Sequence, residues 1–158
     1  MRGDNRIAFR VLVEAGLAAM KKADKPITRR PSKGSAKIYA LPNGETVRMR
    51  TCNDHVLLVN ADSPKPEAKL DIEGTDWLLV VMPEKERTQG KIIAYLIPII
   101  EVVDEVRHSH RDWLARDPNT KGDNRTWTLS FRDDGEITKN FSAIWAKYRL
   151  GSTVGRLR

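Results

Sequence analysis

Two apolar runs in the middle of the chain constrain its fold more than any other feature. Residues 76–82, DWLLVVM, are apolar almost without interruption over the length of a strand. Residues 91–97, KIIAYLI, repeat this pattern after a polar turn. A continuous apolar run of this length is typical of a strand that is buried on both faces. We therefore predict that residues 76–82 form a buried central strand and that residues 91–97 form the next one.

After Pro98 the apolar residues recur at helical spacing instead of in continuous runs. Proline is favoured in the first turn of a helix. Residues 99–115 are predicted to be a helix, whose buried stripe would consist of Ile99, Val102, Val103, Val106 and Trp113. Residues 5–22 are predicted to form an amphipathic helix with Asp4 as its N-cap. A last short helix is expected around residues 141–148.

The segment 36–52, AKIYALPNGETVRMRTC, reads as a β-hairpin that turns at residues 43–44. A register symmetric about this turn would pair Tyr39 with Arg48 and Lys37 with Arg50. One face of the hairpin would then be basic with an aromatic ring among the cations. The opposite face would enter the core with Ile38, Val47 and Met49.

The remaining segments complete an α+β, or mixed α/β, domain. Strands are predicted at residues 55–60 and 127–131, and residues 61–75 read as a loop. The sheet would be mainly antiparallel, with about five to six strands and helices packed on it. Residues 1–115 would form the core domain, in which the basic linker 23–35 stays mobile until a partner orders it. Residues 116–158 would be a C-terminal extension packed on the same core.

The charge of this 158-residue chain is uneven. The formal net charge is +7, but residues 21–50 alone carry nine bases against two acids. Residues 54–86 carry eight acids against three bases, and residues 107–158 carry eleven bases against six acids. Clustered bases attract polyanions. We therefore expect a nucleic acid, DNA in the first place, as the partner.

The basic hairpin and the linker before it supply the candidate contacts. An aromatic ring among cations on a sheet face suits a phosphate backbone better than a metabolite. Tyr39 would pack against a sugar or base. The phosphate contacts would come from Arg29, Arg30, Lys33, Lys37, Arg48 and Arg50.

Several other classes of function are disfavoured by the sequence. Cys52 is the only cysteine, so an internal disulfide or a zinc ribbon is excluded. His108 and His110 point away from each other on a helix, so we expect no zinc site. No apolar run approaches the roughly 18 residues of a membrane span, and no signal peptide is recognised. We expect a cytoplasmic protein with no membrane partner.

A short string of charged residues offers a catalytic alternative. Magnesium-dependent nucleases hold the ion with acids and often place a lysine near the attacking water. Asp62, Glu67 and Lys69 have a spacing that resembles the signature of the PD-(D/E)XK nucleases. Asp54 and Asp76 are a second possible pair of acids.

A broader pattern, over residues 5–110, also resembles the restriction-endonuclease-like (PD-(D/E)XK) superfamily. ETVRMRTC resembles its catalytic strand, and DWLLVVMPEKERTQGKIIAYLIPIIEV resembles the later strands and helix. The resemblance implies a DNA-binding scaffold. It places Arg48 and Arg50 where the acid and the lysine would stand, so the catalytic motif would be degenerate.

Three hypotheses follow for the function. The first is a DNA-binding domain without a cofactor. The second is an active nuclease that uses Mg²⁺ with Asp62, Glu67 and Lys69. The third is a protein-interaction module whose basic arms and acidic loop dock onto an assembly. A homodimer is compatible with each of them.

Overall fold

A computed structural model of the chain describes residues 6–31, 37–65, 67–116, 125–132 and 144–151. Within these ranges the helices are α1 (Phe9–Lys22), α2 (Ile99–Arg116) and a 3₁₀ turn (Ala146–Tyr148). The strands are β1 (Thr28–Arg30), β2 (Lys37–Ala40), β3 (Thr46–Thr51), β4 (Val56–Asn60), β5 (Trp77–Pro83), β6 (Ile92–Pro98) and β7 (Thr126–Ser130).

Five of the described strands form one sheet in the order β1-β2-β3-β5-β6. Neighbours in this sheet are antiparallel except β3 and β5, which are parallel. The strands β4 and β7 form a separate antiparallel pair. The predicted α+β class with a mainly antiparallel sheet is therefore confirmed.

The strand β5 lies at the centre of the molecule, as predicted for residues 76–82. Its residues 78–82 are fully buried. Leu79 and Val81 enter the core beneath α1, whereas Leu78 and Val80 enter the core shared with α2 and the β4–β7 pair. A strand with helices or strands on both faces must be apolar on both faces, which explains the uninterrupted run.

The first helix begins at Phe9, four residues later than predicted. Asn53 holds the preceding chain extended, because its Oδ1 accepts the Ile7 N–H at 2.7 Å and its Nδ2 donates to the Ile7 carbonyl at 3.0 Å. Ala8 occupies the N-cap position and makes no side-chain cap. The predicted cap, Asp4, lies outside the described residues.

The hairpin forms, but its predicted register is wrong by one residue. Leu41 N–H donates to the Glu45 carbonyl at 2.8 Å, so the loop has three residues, and Gly44 adopts a φ of +94°. A three-residue loop ending in a left-handed residue shifts the pairing relative to a two-residue turn. Tyr39 therefore pairs with Val47, and Lys37 pairs with Met49.

This shift changes which residues of β2 and β3 share a face of the sheet. Tyr39 is 5% exposed and packs beneath α1 with Val47 and Met49, both of which were expected in the core. Ile38 instead shares the opposite face with Arg48, its cross-strand partner. The predicted basic face does not form, because Lys37 and Tyr39 lie on the α1 face of the sheet, whereas Arg48 and Arg50 lie on the opposite face.

The predicted linker 23–35 contains a strand that was not predicted. Residues 28–30 form β1, which pairs antiparallel with β2. All three side chains of β1 are exposed. Part of the predicted linker is therefore a strand, while residues 32–36 lie outside the described residues.

The second helix has the predicted extent, but the buried residue near its C-terminal end is not the predicted one. Trp113 is 41% exposed, whereas His110 is 5% exposed. The His110 ring stacks on Trp127 of β7 with a centroid distance of 3.9 Å. The predicted turn at residues 134–135 and Phe141 lie outside the described residues, as does the C-terminal tail after residue 151.

Candidate anion-binding cleft

A cleft of about 460 Å³ opens where α1 begins, beside the start of β2 and the second half of β3. Its walls carry three cations, one carboxylate, one amide and one aromatic ring. These are Lys37, Arg48, Arg50, Asp71, Asn60 and Phe9. The walls are therefore positive on balance, by three charges against one.

The two arginines are directed into the cleft by the alternation of side chains along β3. Val47 and Met49 point to α1, so Arg48 and Arg50 point to the opposite face of the sheet, where β4 and its following loop lie. Arg48 Nη1 donates to the Asp71 carbonyl at 2.6 Å, and Arg50 Nη2 donates to the Leu58 carbonyl at 3.1 Å. Both guanidinium groups are thereby held in place by the main chain.

These hydrogen bonds orient the positive charges but do not neutralise them. Among the described residues, neither Arg48 nor Arg50 forms an ion pair with a carboxylate. Arg48 Nε is buried and has no hydrogen-bond partner within the described part of the chain. Burial, and then the nearby charge of Arg48, lower the pKa of Arg50, although Asp71 acts against this. An anion in the cleft would relieve this electrostatic cost.

Lys37 reaches the cleft from the other face of the sheet, because it pairs with Met49 and therefore shares the face of Tyr39 beneath α1. Its Nζ lies 5.2 Å from the centroid of the Phe9 ring. Phe9 begins α1 and is 57% exposed. The ammonium therefore lies over one face of an exposed aromatic ring at the mouth of the cleft.

The far wall is built where the chain leaves β4. Asp71 N–H donates to the Asn60 carbonyl at 2.8 Å, and Asn60 Nδ2 lies 3.4 Å from Asp71 Oδ2. The second distance is at the long end of the hydrogen-bond range. The Asn60 Oδ1 also accepts from Thr126 Oγ1 at 3.5 Å, so both contacts of the side-chain amide are long.

The cations of β1 divide between the two faces of the sheet. Arg30 pairs with Ile38, which pairs with Arg48, so Arg30 and Arg48 share one face. Arg29 lies on the other face, with its Cζ 5.7 Å from the centroid of the Tyr39 ring. Lys33 lies outside the described residues.

The string of Asp62, Glu67 and Lys69 lies on the loop that continues this wall. Asp62 Oδ1 accepts the Lys69 N–H at 3.1 Å, and Asp62 N–H donates to the Lys69 carbonyl at 3.0 Å. All three side chains are exposed. Asp62 thus contacts the main chain of Lys69, and Glu67 lies two residues before Lys69.

Asp62, Glu67 and Lys69 do not belong to a cluster of three metal ligands in the described structure. Within the described ranges, no three Asp, Glu, His or Cys side chains come together closely enough to hold a metal ion. The alternative acids are separated as well, because Asp76 accepts the Thr46 N–H at the start of β3 and Asp54 follows the end of that strand. Asp54 instead pairs with Arg87. The nuclease alternative therefore stays a prediction.

Other reactive side chains lie elsewhere in the fold. Burial raises the pKa of the Cys52 thiol to about 12, which keeps it protonated and a poor nucleophile at neutral pH. His108 Nε2 lies 3.4 Å from Asp112 Oδ2 on the exposed side of α2, whereas His110 is buried. The two histidines do not share a site.

Sequence reasoning found the three cations of the cleft but missed Phe9, Asn60 and Asp71. The first residue of a helix, the last of a strand and a loop aspartate meet only through tertiary packing. The exposed Phe9 at a polar position of an amphipathic helix was the one available signal.

Comparisons of this chain with protein-family models, curated proteins and solved structures gave no match. No helix among the described residues has the length and apolar character needed to cross a membrane.

Proposed function

We propose that this protein binds nucleic acid, DNA in the first place, by seating a backbone phosphate in the cleft of Lys37, Arg48 and Arg50. The observation that carries the proposal is the pair of arginines on one sheet face, which are held by main-chain carbonyls and form no ion pair within the described part of the chain, while Lys37 lines the same cleft from the opposite face. Guanidinium groups held in a fixed orientation suit phosphate oxygens, because their N–H groups are directional donors.

The sheet face that carries Arg48 and Arg50 also carries Arg30, which continues the site on that side. Arg30 is exposed, and Ile38 between Arg30 and Arg48 is only partly buried. Adjacent strands are about 4.8 Å apart, so Arg30 lies roughly 10 Å from Arg48 across the sheet. A chain of phosphates could contact both arginines in succession.

The resemblance to the restriction-endonuclease-like superfamily belongs to this proposal. The strand that resembles the catalytic strand of that superfamily is β3, and Arg48 and Arg50 stand at its acid and lysine positions. Replacing an acid and a lysine with two arginines would change a metal-binding site into an anion-binding site. The proposed protein is thus a binding domain on a degenerate nuclease scaffold.

The test is the salt dependence of DNA binding by Lys37→Gln. Removing one phosphate contact should lower the slope of log affinity against log salt by about 0.9. Lys37→Gln should therefore flatten the slope by about one unit and weaken binding at low salt. Fluorescence anisotropy of a labelled short duplex across a salt series measures both quantities.

Lys22→Gln is the matched control, because Lys22 is exposed at the other end of α1. The helix has 14 residues, which separates the two ends by about 20 Å. This variant should keep the parent slope and affinity. Equal effects of the two changes, or a parent protein that does not bind DNA at low salt, would refute the proposal.

Lys37 serves this test better than the arginines do. Arg48 donates to the Asp71 carbonyl and Arg50 donates to the Leu58 carbonyl. Replacing either arginine by alanine would leave its carbonyl without this donor. Loss of a hydrogen bond to a charged group costs about 1.5–3 kcal/mol of stability. Binding and folding would then change together.

A further inference from the structure

We infer that the cleft receives a single unpaired nucleotide, with its phosphate on the cations and its base stacked on Phe9. This inference rests on the proposed function and names the form of nucleic acid that the cleft selects. It predicts a preference for single-stranded or locally unpaired DNA over a regular duplex.

The position of Phe9 is the first argument. Its ring is exposed, and the Lys37 ammonium lies 5.2 Å from the ring centroid. Single-strand-binding proteins combine these same two elements, a cationic track for the backbone and aromatic rings for the bases. A lone exposed phenylalanine is common on protein surfaces, but one at the mouth of a cleft with three cations matches both requirements.

The dimensions of the cleft are the second argument. A volume of about 460 Å³ lies within the usual range of small-ligand pockets, roughly 300–1,000 Å³. A space of this size admits one nucleotide unit but not a double helix. A duplex can touch only the rim of this site.

The chemistry of a duplex gives the third argument. Stacked and paired bases present their edges in the grooves and keep their faces inside the helix. The face of a base becomes available to Phe9 only when the strand is single or the base is extruded. Asn60 on the opposite wall would then offer its weakly engaged amide, with a donor and an acceptor, to the edge of the base.

The experiment compares a labelled oligothymidylate with a labelled duplex of the same length, using the full chain. The parent should bind the single strand more tightly at low salt. Phe9→Ala should weaken single-strand binding by about tenfold, since a base–aromatic stack is worth about 1–3 kcal/mol. Duplex affinity and both salt slopes should stay within error of the parent, because all phosphate contacts remain. Phe9→Tyr should restore the affinity of the parent.

Val11→Ala is the matched control, because Val11 is an exposed apolar residue of the same helix that does not line the cleft. It should bind like the parent. The inference fails if Phe9→Ala binds the single strand as tightly as the parent does, or if it weakens both ligands equally. Duplex binding that depends on Lys37 but no effect of Phe9→Ala would overturn this inference alone. Absence of any binding would overturn the proposed function as well.

Discussion

His110 packs against two indole rings, and its surroundings offer little stabilisation of a positive charge on the imidazole. Its ring lies 3.9 Å from that of Trp127 and 5.7 Å from that of Trp113, measured between centroids. Its Nε2 is buried and lacks a hydrogen-bond partner among the described residues. Burial lowers the pKa of His110, and a hydrogen bond to the Pro64 carbonyl acts weakly against this.

Stability should therefore fall as the pH drops below about 6.5, the ordinary pKa of histidine. Between the lowered folded pKa and the unfolded pKa, the unfolded chain binds more protons, so acidification favours unfolding. We expect the urea midpoint to decrease from pH 7.5 to pH 5.5. Tryptophan fluorescence reports the transition.

His110→Phe supplies the comparison, because it keeps an aromatic ring on Trp127 and removes the titrating group. Its midpoint should change less than that of the parent over the same pH range. Glu105, whose pKa is raised by burial, is present in both proteins and cancels in the comparison. Equal pH dependence of the two proteins would contradict this role of His110.

At the scale of secondary-structure elements, α1 depends on a close approach to the sheet at Gly16. A Cβ built on Gly16 would lie 2.8 Å from Val81 Cγ2 and 3.3 Å from Met49 Cε. Val81 belongs to the buried central strand and has no room to retreat. The helix can pack this closely because glycine has no side chain.

Gly16→Ala should therefore destabilise the fold by about 1–3 kcal/mol, the usual cost of overpacking. Helix propensity alone would favour alanine by about 1 kcal/mol, so the two effects have opposite signs. Urea unfolding measures the difference. Ala18→Gly, at an exposed position of α1, reports the propensity effect alone and should cost about 1 kcal/mol. A more stable Gly16→Ala protein would show that α1 does not pack as described.

The elements were more predictable than their pairing. The apolar run of β5 and the change of period at Pro98 are local signals, and both predicted elements formed. The register of the β2–β3 hairpin was not predictable with the same certainty, because a two-residue and a three-residue loop both accommodate Asn43 and Gly44. One residue of difference placed Tyr39 and Lys37 on the α1 face, opposite Arg48 and Arg50. β1 was missed because its exposed TRR sequence has no apolar pattern.

At the scale of the whole molecule, the acidic segment crosses the basic hairpin without neutralising it. Residues 54–86 are rich in acids, yet this segment meets Arg48 through the Asp71 carbonyl and Arg50 through the Leu58 carbonyl. Charge counting along the sequence identified Lys37, Arg48 and Arg50 as candidate contacts. It could not place Phe9, Asn60 and Asp71 beside them. These three residues come from the start of α1, the end of β4 and the loop after β4, and they meet the cations only in the folded structure.

The measurement that tests the central claim most directly is a titration of the ¹⁵N-labelled protein with a short oligothymidylate, followed by amide chemical shifts. If the cleft is the binding site, the largest shifts should fall on Phe9, Lys37, Arg50 and Asn60. Amides at the far end of α1, such as that of Lys22, should not move. Shifts concentrated on α2 or on the β5–β6 turn, with the cleft amides unchanged, would contradict binding in the cleft.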